Sequence, residues 1–336
     1  MSKMLSFVDI IVALDPNNTT TCESFVDNGN GVPPLYNRIN ILLSVHNALS
    51  KALSKVRLVF HSPPSQQVER MTGEIVSLLS AKNRKAGDAI WSTMEQIRME
   101  SIEDGDNSST SSQDPQAGSS DIHTATRSVM GYIMFLRSRY SSMVPIVSQA
   151  SRLGKYVPQS RQVPPLISLV IEMVSSVQEK LANKSESFQD QALRFLFLLN
   201  NANMIWKYLI DYPFPSHQVH VTVLAGKVES YMQSYLQLSW APPLSCLLNP
   251  TPIFFGRKRH NSSLSKFESE FKKVYTTQKL WKVLDPELRK MLRKAIAEKI
   301  IPVYTKYIKD YKFIIITTPK FRPQMLEDML QEIFEG

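Results

Sequence analysis

The sequence predicts an all-α protein, and three observations support this fold class. Glycine is scarce, with 11 residues in 336, and methionine is frequent, with 14. Few stretches alternate between apolar and polar residues, as a half-buried strand would. Apolar residues instead recur at three- and four-residue steps along much of the chain, which is the pattern of amphipathic helices. A chain of this length can also bury a large core.

The first part of the chain predicts a separate helical subdomain over residues 1–102. Helical spacing is found in Met4–Leu14, Leu35–Val59 and Val68–Ile102. Residues 103–121 then read EDGDNSSTSSQDPQAGSSD, with no apolar residue larger than Ala117. A stretch with so little to bury is typical of a disordered linker. We therefore predict a boundary there and a second helical domain over residues 122–336.

The second domain contains the most hydrophobic run of the chain, Ser187–Trp206, which is apolar almost all round and is predicted to be the central core helix. Two further helices are predicted within Lys266–Tyr311. In the first of them, Gln278 lies on the same apolar stripe as Phe271 and Trp281. We expect Gln278 to be buried, with hydrogen-bond partners in the core.

The second helix of this pair is marked at its start by Asp285 as N-cap and by Pro286 at the first helical position. Its predicted buried face consists of Leu288, Met291, Leu292, Ala295 and Ile296. Pro302 is expected to kink the helix without ending it. At about 100° per residue, the apolar face should swing by roughly a third of a turn across Ile300–Val303.

The segment Arg257–Lys312 carries the net charge of the chain. It holds 16 Lys and Arg against 6 Asp and Glu, a surplus of +10, while the whole chain is +9. The basic residues predicted for the exposed surface are Arg289, Lys290, Arg293, Lys294, Lys306 and Lys309. They are either an ordinary solvated helix face or the contact with an acidic partner. Nucleic acid is the generic interpretation of such a patch, but without interleaved aromatic residues or a known nucleic-acid module an anionic membrane suits the segment at least as well.

The sequence offers no case for catalysis, because it contains none of the usual hydrolase, nucleotide-binding or metalloprotease motifs. His217 and His220 have no evident third ligand, so we expect neither a metal nor a cofactor. Cys22 and Cys246 match no zinc, haem or redox spacing and are predicted to be reduced thiols. No stretch reaches the roughly 18–20 apolar residues of a membrane span. We predict a non-enzymatic cytoplasmic protein, soluble or peripheral to a membrane.

Residues at a characteristic spacing in the basic segment resemble the C-terminal signature of the Exo70 family, a subunit of the exocyst. They are Phe271, Tyr275, Gln278, Trp281, Asp285, Leu288, Arg289, Lys299, Pro302 and Tyr304. Two earlier motifs resemble the family as well: His123, Thr126, Arg127, Val129, Met130 and Tyr132, then Leu193, Arg194, Phe197, Leu198, Asn200 and Asn201. The resemblance covers Asp121–Gly336 and is greatest to plant members.

Several of these matched residues are interpreted as structural. They are His123, Arg127, Arg194, Asn201, Gln278, Trp281, Asp285 and Pro302. We expect His123 to stand at the start of a helix and Arg194 to be a paired charge at a helix margin.

The resemblance implies an elongated stack of antiparallel helical bundles, of the type shared by subunits of tethering complexes. It implies other exocyst subunits, small GTPases of the Rho or ROP type and anionic plasma-membrane lipids as partners. Family members bind phosphatidylinositol 4,5-bisphosphate through lysines shortly before the terminal helix. Here Lys320 keeps one such lysine, Thr317 replaces another and Arg322 lies nearby.

Two functions follow from the resemblance. One is tethering of secretory vesicles at the plasma membrane as an exocyst subunit. The other is that of a divergent plant paralogue, which acts in immunity as a protein-interaction module for pathogen effectors or immune receptors. Family members carry an N-terminal coiled coil that does not precede Met1 in this sequence. The sequence is therefore expected to be part of a longer chain or a short paralogue.

Overall fold

The computed structural model describes residues 34–60, 65–103, 120–160, 162–214, 218–248, 257–311 and 318–336. The predictions for Met4–Leu14, Cys22, His217 and nearly all of the linker lie outside these residues. The described residues form the helices α1 (Pro34–Val59), α2 (Gln66–Glu103), α3 (Thr124–Ser138), α4 (Tyr140–Arg152), α5 (Pro165–Ser185), α6 (Gln191–Asp211), α7 (Gln218–Leu248), α8 (Arg257–Gln278), α9 (Pro286–Asp310) and α10 (Pro323–Gln331).

The predicted all-α class is confirmed. The described ranges contain no strand, and their only strand-like pairing is an isolated bridge between Lys282 and Glu335. In the same ranges, no helix is both long enough and apolar enough to cross a bilayer. The chain forms two compact units. Unit 1 comprises Met1–Glu103 and Gly131–Met173, and unit 2 comprises Asp104–Met130 and Val174–Gly336.

Unit 1 contains the antiparallel pair α1 and α2. Leu49 and Leu79 form a small buried core between the two helices, and beside it the Ser50 hydroxyl donates to Asn83 Oδ1 at 3.3 Å. Farther from the α1–α2 connection the pair is more deeply buried. There the hydroxyl of the fully buried Tyr132 donates to the Met94 carbonyl at 3.0 Å.

Unit 2 is organised around α6, as the sequence predicts for its most hydrophobic run. The helix begins at Gln191 because the Asp190 carboxylate accepts hydrogen bonds from the Ala192 and Leu193 amides. Its buried positions include Leu196, Phe197 and Leu199 as well as three asparagines. The largest side chains packed in the same core are Tyr235, Trp240, Phe267, Phe271, Tyr304 and Phe334.

Helix α9 runs without interruption through Pro302, as predicted. Its buried residues Leu288, Leu292, Ile296, Ile300 and Tyr304 recur at every fourth position. Each step of four advances the buried face by about 40° around the axis. The face therefore winds gradually from Leu288 to Tyr304, and the buried Tyr307, three residues on, lies about 60° back. The prediction of a swing confined to Ile300–Val303 is wrong. Met291, which was predicted to be buried, is 44% exposed because it lies on the side from which the stripe turns away.

Gln278 is buried at the end of α8, as predicted, and it ends a chain of hydrogen bonds in the core. The Trp240 indole donates to the Tyr235 hydroxyl at 3.1 Å, and that hydroxyl donates to Gln278 Oε1 at 2.6 Å. All three residues are buried. Burial raises the pKa of Tyr235, so the phenol remains a neutral donor.

Replacing Gln278 by Leu should destabilise the protein by about 1–3 kcal/mol, because the buried Tyr235 hydroxyl loses its acceptor. Urea denaturation of both single variants and of the double variant Tyr235→Phe/Gln278→Leu measures the coupling. We expect the double variant to lose less free energy of unfolding than the two single variants together. Strictly additive losses would contradict the proposed hydrogen-bond chain.

Candidate functional site

Two adjacent asparagines on α6 fix two loops to the core of unit 2. Asn201 Oδ1 accepts from the His123 amide at 2.9 Å and from the Thr126 hydroxyl at 2.8 Å. Asn200 Nδ2 donates to the Ser120 carbonyl at 2.7 Å and to the Lys282 carbonyl at 3.0 Å. These bonds hold the segment before α3 and the loop between α8 and α9 against one helix.

Ser120 joins these two loops directly. Its hydroxyl donates to the Lys282 carbonyl at 2.8 Å and accepts from the Lys282 amide at 3.0 Å. Ser120 is buried, although the sequence places it at the end of the polar linker. A serine in a serine-rich stretch gives no sequence signal for such a contact, because its partner lies 162 positions away.

His123 stands at the start of α3, as the sequence predicts. Its Nδ1 accepts from the Ala125 amide at 3.2 Å, and its ring meets the Phe197 ring edge-on at a centroid distance of 6.3 Å. Arg127, one turn into the same helix, is exposed. Arg194 donates to the Ser185 hydroxyl at 3.2 Å, with its guanidinium 6.0 Å from the centre of the Phe195 ring.

Asp285 caps α9 as predicted, accepting from the Leu288 amide at 2.8 Å. It also forms an ion pair with Lys207 of α6, a partner that no sequence pattern indicates. Partial burial acts to raise the pKa of Asp285, but hydrogen bonds from Lys207 and from the Leu288 amide outweigh it. The pKa of Asp285 therefore lies below its usual value.

The end of the chain closes over α8 and α9. The Phe334 amide donates to the Gln278 carbonyl, and the Val283 amide donates to the Phe334 carbonyl, both at 3.2 Å. Phe334 adopts a φ of 70°, in the left-handed region, and both Ile333 and Phe334 are fully buried. The two tail hydrogen bonds compensate for the unfavourable backbone conformation of Phe334.

Two of the predicted surface cations hold this tail. Arg293 donates to the Ile333 carbonyl at 3.1 and 2.5 Å and to Glu335 at 2.7 Å, and Arg289 pairs with Glu335 at 2.7 Å. The Arg293 side chain is only 13% exposed. Hydrogen bonding from Arg293, with the charge of Arg289, lowers the pKa of Glu335. The prediction that Arg289 and Arg293 belong to the exposed surface is therefore wrong.

The remaining predicted cations are exposed: Lys290, Lys294, Lys306, Lys309, Lys320 and Arg322. Lys294 lies 3.8 Å from Glu298 one turn away, which is a weak surface contact. Pro302 is also exposed, and Trp281 is partly buried against the core.

Lys320 belongs to a second basic feature, which the sequence did not single out. Together with Lys272 and Lys273 of α8 it lines a cleft of about 620 Å³, beside hydroxyl side chains of the same helix. The buried Glu268 carboxylate at this cleft accepts from the Lys320 amide at 2.7 Å. The adjacent Lys272 and Lys273 within the basic segment were the sequence signal that could have indicated this cleft. In the part of the chain that the structure describes, no three potential ligands are grouped to hold a metal ion.

Comparison with known proteins gives consistent matches. Residues 19–332 match the family defined by the C-terminal region of Exo70, a component of the exocyst complex. The Arabidopsis thaliana exocyst complex components EXO70A3 and EXO70B2 are each 26% identical, over 64% and 57% of this chain and over 38% and 31% of their own length. The Drosophila melanogaster exocyst complex component 7 is 22% identical over 64% of this chain and 35% of its own. The chain thus spans about a third of the curated relatives it matches.

Solved structures show the same fold. A Saccharomyces cerevisiae Exo70 structure superposes with a TM-score of 0.52 at 14% identity, covering 99% of this chain and 69% of that one. A structure of exocyst subunit Exo70p gives a TM-score of 0.53 at 15% identity, with 98% and 69% covered.

Replacing Arg293 by Met should destabilise the protein by about 1–3 kcal/mol, because the buried Ile333 carbonyl loses its donor. Lys294→Met is the matched control, since it removes an exposed neighbouring charge and should change stability by less than about 0.5 kcal/mol. Thermal or urea unfolding measures both variants. Equal, small losses for the two variants would mean that Arg293 does not anchor the tail.

Replacing Asp285 by Asn should lower the melting temperature most at neutral pH. The pKa of Asp285 is lower in the folded than in the unfolded protein, where it is about 3.9. The charged carboxylate therefore stabilises the fold at pH values above the unfolded pKa. This stabilisation is lost as the pH falls through the folded pKa. Because Asn can also cap a helix, the variant isolates the charge. The difference from wild type should shrink below about pH 4. Asp328→Asn on α10 controls for the loss of an exposed carboxylate, and a constant difference across this range would refute the role given to Asp285.

Proposed function

Because the chain belongs to the Exo70 family, we propose that it acts as an exocyst subunit that tethers secretory vesicles at the plasma membrane. The family supplies a structural subunit of a tethering complex rather than an enzyme. In this role the protein works in the cytoplasm, peripheral to the membrane. Its partners are other exocyst subunits, with small GTPases of the Rho or ROP type, and anionic phosphoinositides.

The observation that carries the membrane part of the proposal is the distribution of lysines on α9. At about 100° per residue, Lys290 and Lys294 lie roughly opposite Leu288 and Leu292, and Lys306 and Lys309 lie roughly opposite the later part of the winding stripe. All four lysines are exposed. They follow the solvent face along a helix of 25 residues, or roughly 37 Å.

The four lysines span about 160° around the helix axis, from Lys290 to Lys306, so they form a broad basic side of the helix whose long side chains can reach an anionic bilayer surface. Each basic residue near an anionic leaflet contributes about 1 kcal/mol, so several together give substantial but salt-sensitive binding. The cleft with Lys272, Lys273 and Lys320 offers cations grouped closely enough for a polyphosphorylated headgroup. Lys320 also matches a lysine position through which the resemblance implies phosphoinositide binding.

Vesicle flotation with and without phosphatidylinositol 4,5-bisphosphate, at low and at physiological salt, tests this proposal. Wild type should float with the phosphoinositide, and Lys290→Glu/Lys294→Glu/Lys306→Glu/Lys309→Glu should remain largely unbound. Arg289 and Arg293 are left intact, because reversing them would disturb the chain end. A loss restricted to phosphoinositide vesicles in Lys272→Glu/Lys273→Glu/Lys320→Glu would assign the headgroup to the cleft.

The matched control reverses four exposed cations outside the basic segment: Arg84, Arg139, Arg152 and Lys184. Each quadruple variant changes the net charge by −8, from +9 to +1. The control should bind as wild type does if position matters more than total charge. Equal binding by wild type and the lysine variant would instead favour the second function, a paralogue that binds pathogen effectors or immune receptors in plant defence.

A further inference from the structure

The connected ends of α1 and α2 form a two-helix projection with almost no core of its own. Between Ser50 and Leu78, none of the described residues is buried. The nearest buried pair is Leu49 and Leu79, and beyond it Ala52, Leu53, Val56 and Ile75 are only partly covered. The outer part of this pair therefore retains apolar surface that the described part of unit 1 does not cover.

The tip of this projection, which we define as Leu58, Val59, Phe60 and Met71, consists of large apolar side chains in water. Their exposures are 82%, 71%, 39% and 56%, respectively. Scattered exposed apolar residues are ordinary, but three in succession at a helix end make a continuous apolar apex. Such an apex is unfavourable in water, so it requires a specific explanation.

The directions of the tip side chains favour a lipid bilayer over a flat protein surface as the partner of the tip. Consecutive residues at the end of α1 are about 100° apart around the axis, so Leu58, Val59 and Phe60 diverge. A flat protein interface could cover one or two of them. The headgroup and upper acyl region of a bilayer can surround all three, as it does the apolar side of interfacial segments.

The charge next to the tip selects the kind of bilayer. Helix α1 carries Arg38, Lys51, Lys55 and Arg57 and has no acidic residue. Lys51 and Lys55 are exposed, and at 100° per residue both fall within about 60° of the direction of Leu58. On α2, Glu69 in the first turn is exposed and Glu74 is paired with Arg70 at 3.4 Å, so the described residues between 51 and 74 hold four basic side chains against two acidic ones. Two lysines one and two turns behind an apolar apex are placed to meet lipid phosphates while the apex enters the interface.

We propose that the α1–α2 tip is a second membrane contact, which inserts shallowly into an anionic bilayer. The contact lies in unit 1 and involves none of the lysines of α9 or of the α8 cleft. It differs from both in kind, because it combines apolar insertion with charge, and it differs from the cleft in needing anionic lipid in general rather than a phosphoinositide headgroup. It does not depend on the function proposed for unit 2.

Flotation of the full 336-residue chain tests the contact, using phosphatidylcholine vesicles with and without phosphatidylserine and no phosphoinositide. Leu58→Ser/Val59→Ser/Phe60→Ser should partition about ten-fold more weakly than wild type into the anionic vesicles. The matched control Met99→Ser/Leu153→Ser/Val157→Ser removes three exposed apolar side chains elsewhere in unit 1 and should bind as wild type does. Lys51→Glu/Lys55→Glu should lose binding only where phosphatidylserine is present.

A spin label on Val59→Cys, in a Cys22→Ser/Cys246→Ser background, reports insertion directly. With anionic vesicles its accessibility to oxygen should rise, while a label on Val157→Cys should stay aqueous. Wild-type binding by the triple tip variant, or an aqueous label at position 59, overturns the proposal and leaves a protein as the occupant of the tip. Because the α9 lysine variant keeps the tip intact, failure of one membrane contact is distinguishable from failure of the other.

Discussion

The structure of unit 2 depends on hydrogen bonds to the backbone of loops that are buried in its core. In a helix, the backbone N–H and C=O groups form hydrogen bonds with one another. The segment before α3, the loop before α9 and the end of the chain are not helical, so their buried backbone groups need other hydrogen-bond partners. The side-chain amides of Asn200 and Asn201 and the backbone carbonyl of Gln278 supply the partners. An unsatisfied buried group costs about 1–3 kcal/mol, so these few residues determine where three parts of the chain are held.

The need of buried backbone groups for hydrogen-bond partners also separates the arginines of α9 from its lysines. The guanidinium groups of Arg289 and Arg293 form several directed hydrogen bonds, and they bind the carbonyl and carboxylate of the chain end. The ammonium groups of Lys290 and Lys294 are more strongly hydrated and stay in water. The helix thus uses its arginines to hold the fold, while Lys290, Lys294, Lys306 and Lys309 remain exposed. Net charge alone does not make this distinction.

The two membrane contacts proposed here would complement each other. The lysines of α9 contribute charge without apolar area, and the α1–α2 tip contributes apolar area beside the exposed Lys51 and Lys55. Salt should weaken the α9 contact more than the tip, because it screens the attraction of Lys51 and Lys55 to lipid but not the apolar insertion of the tip.

The sequence by itself determined the all-α class, the central helix, the Asp285 cap and the burial of Gln278, because these follow from local spacing and capping chemistry. It misplaced Met291 and the winding of α9, since a fixed helical face does not show which neighbours the helix packs against. The roles of Ser120, Lys207 and Arg293 came only from the tertiary structure. Their partners lie 162, 78 and 40 positions away, and no local pattern records which distant carbonyl or carboxylate a side chain will meet.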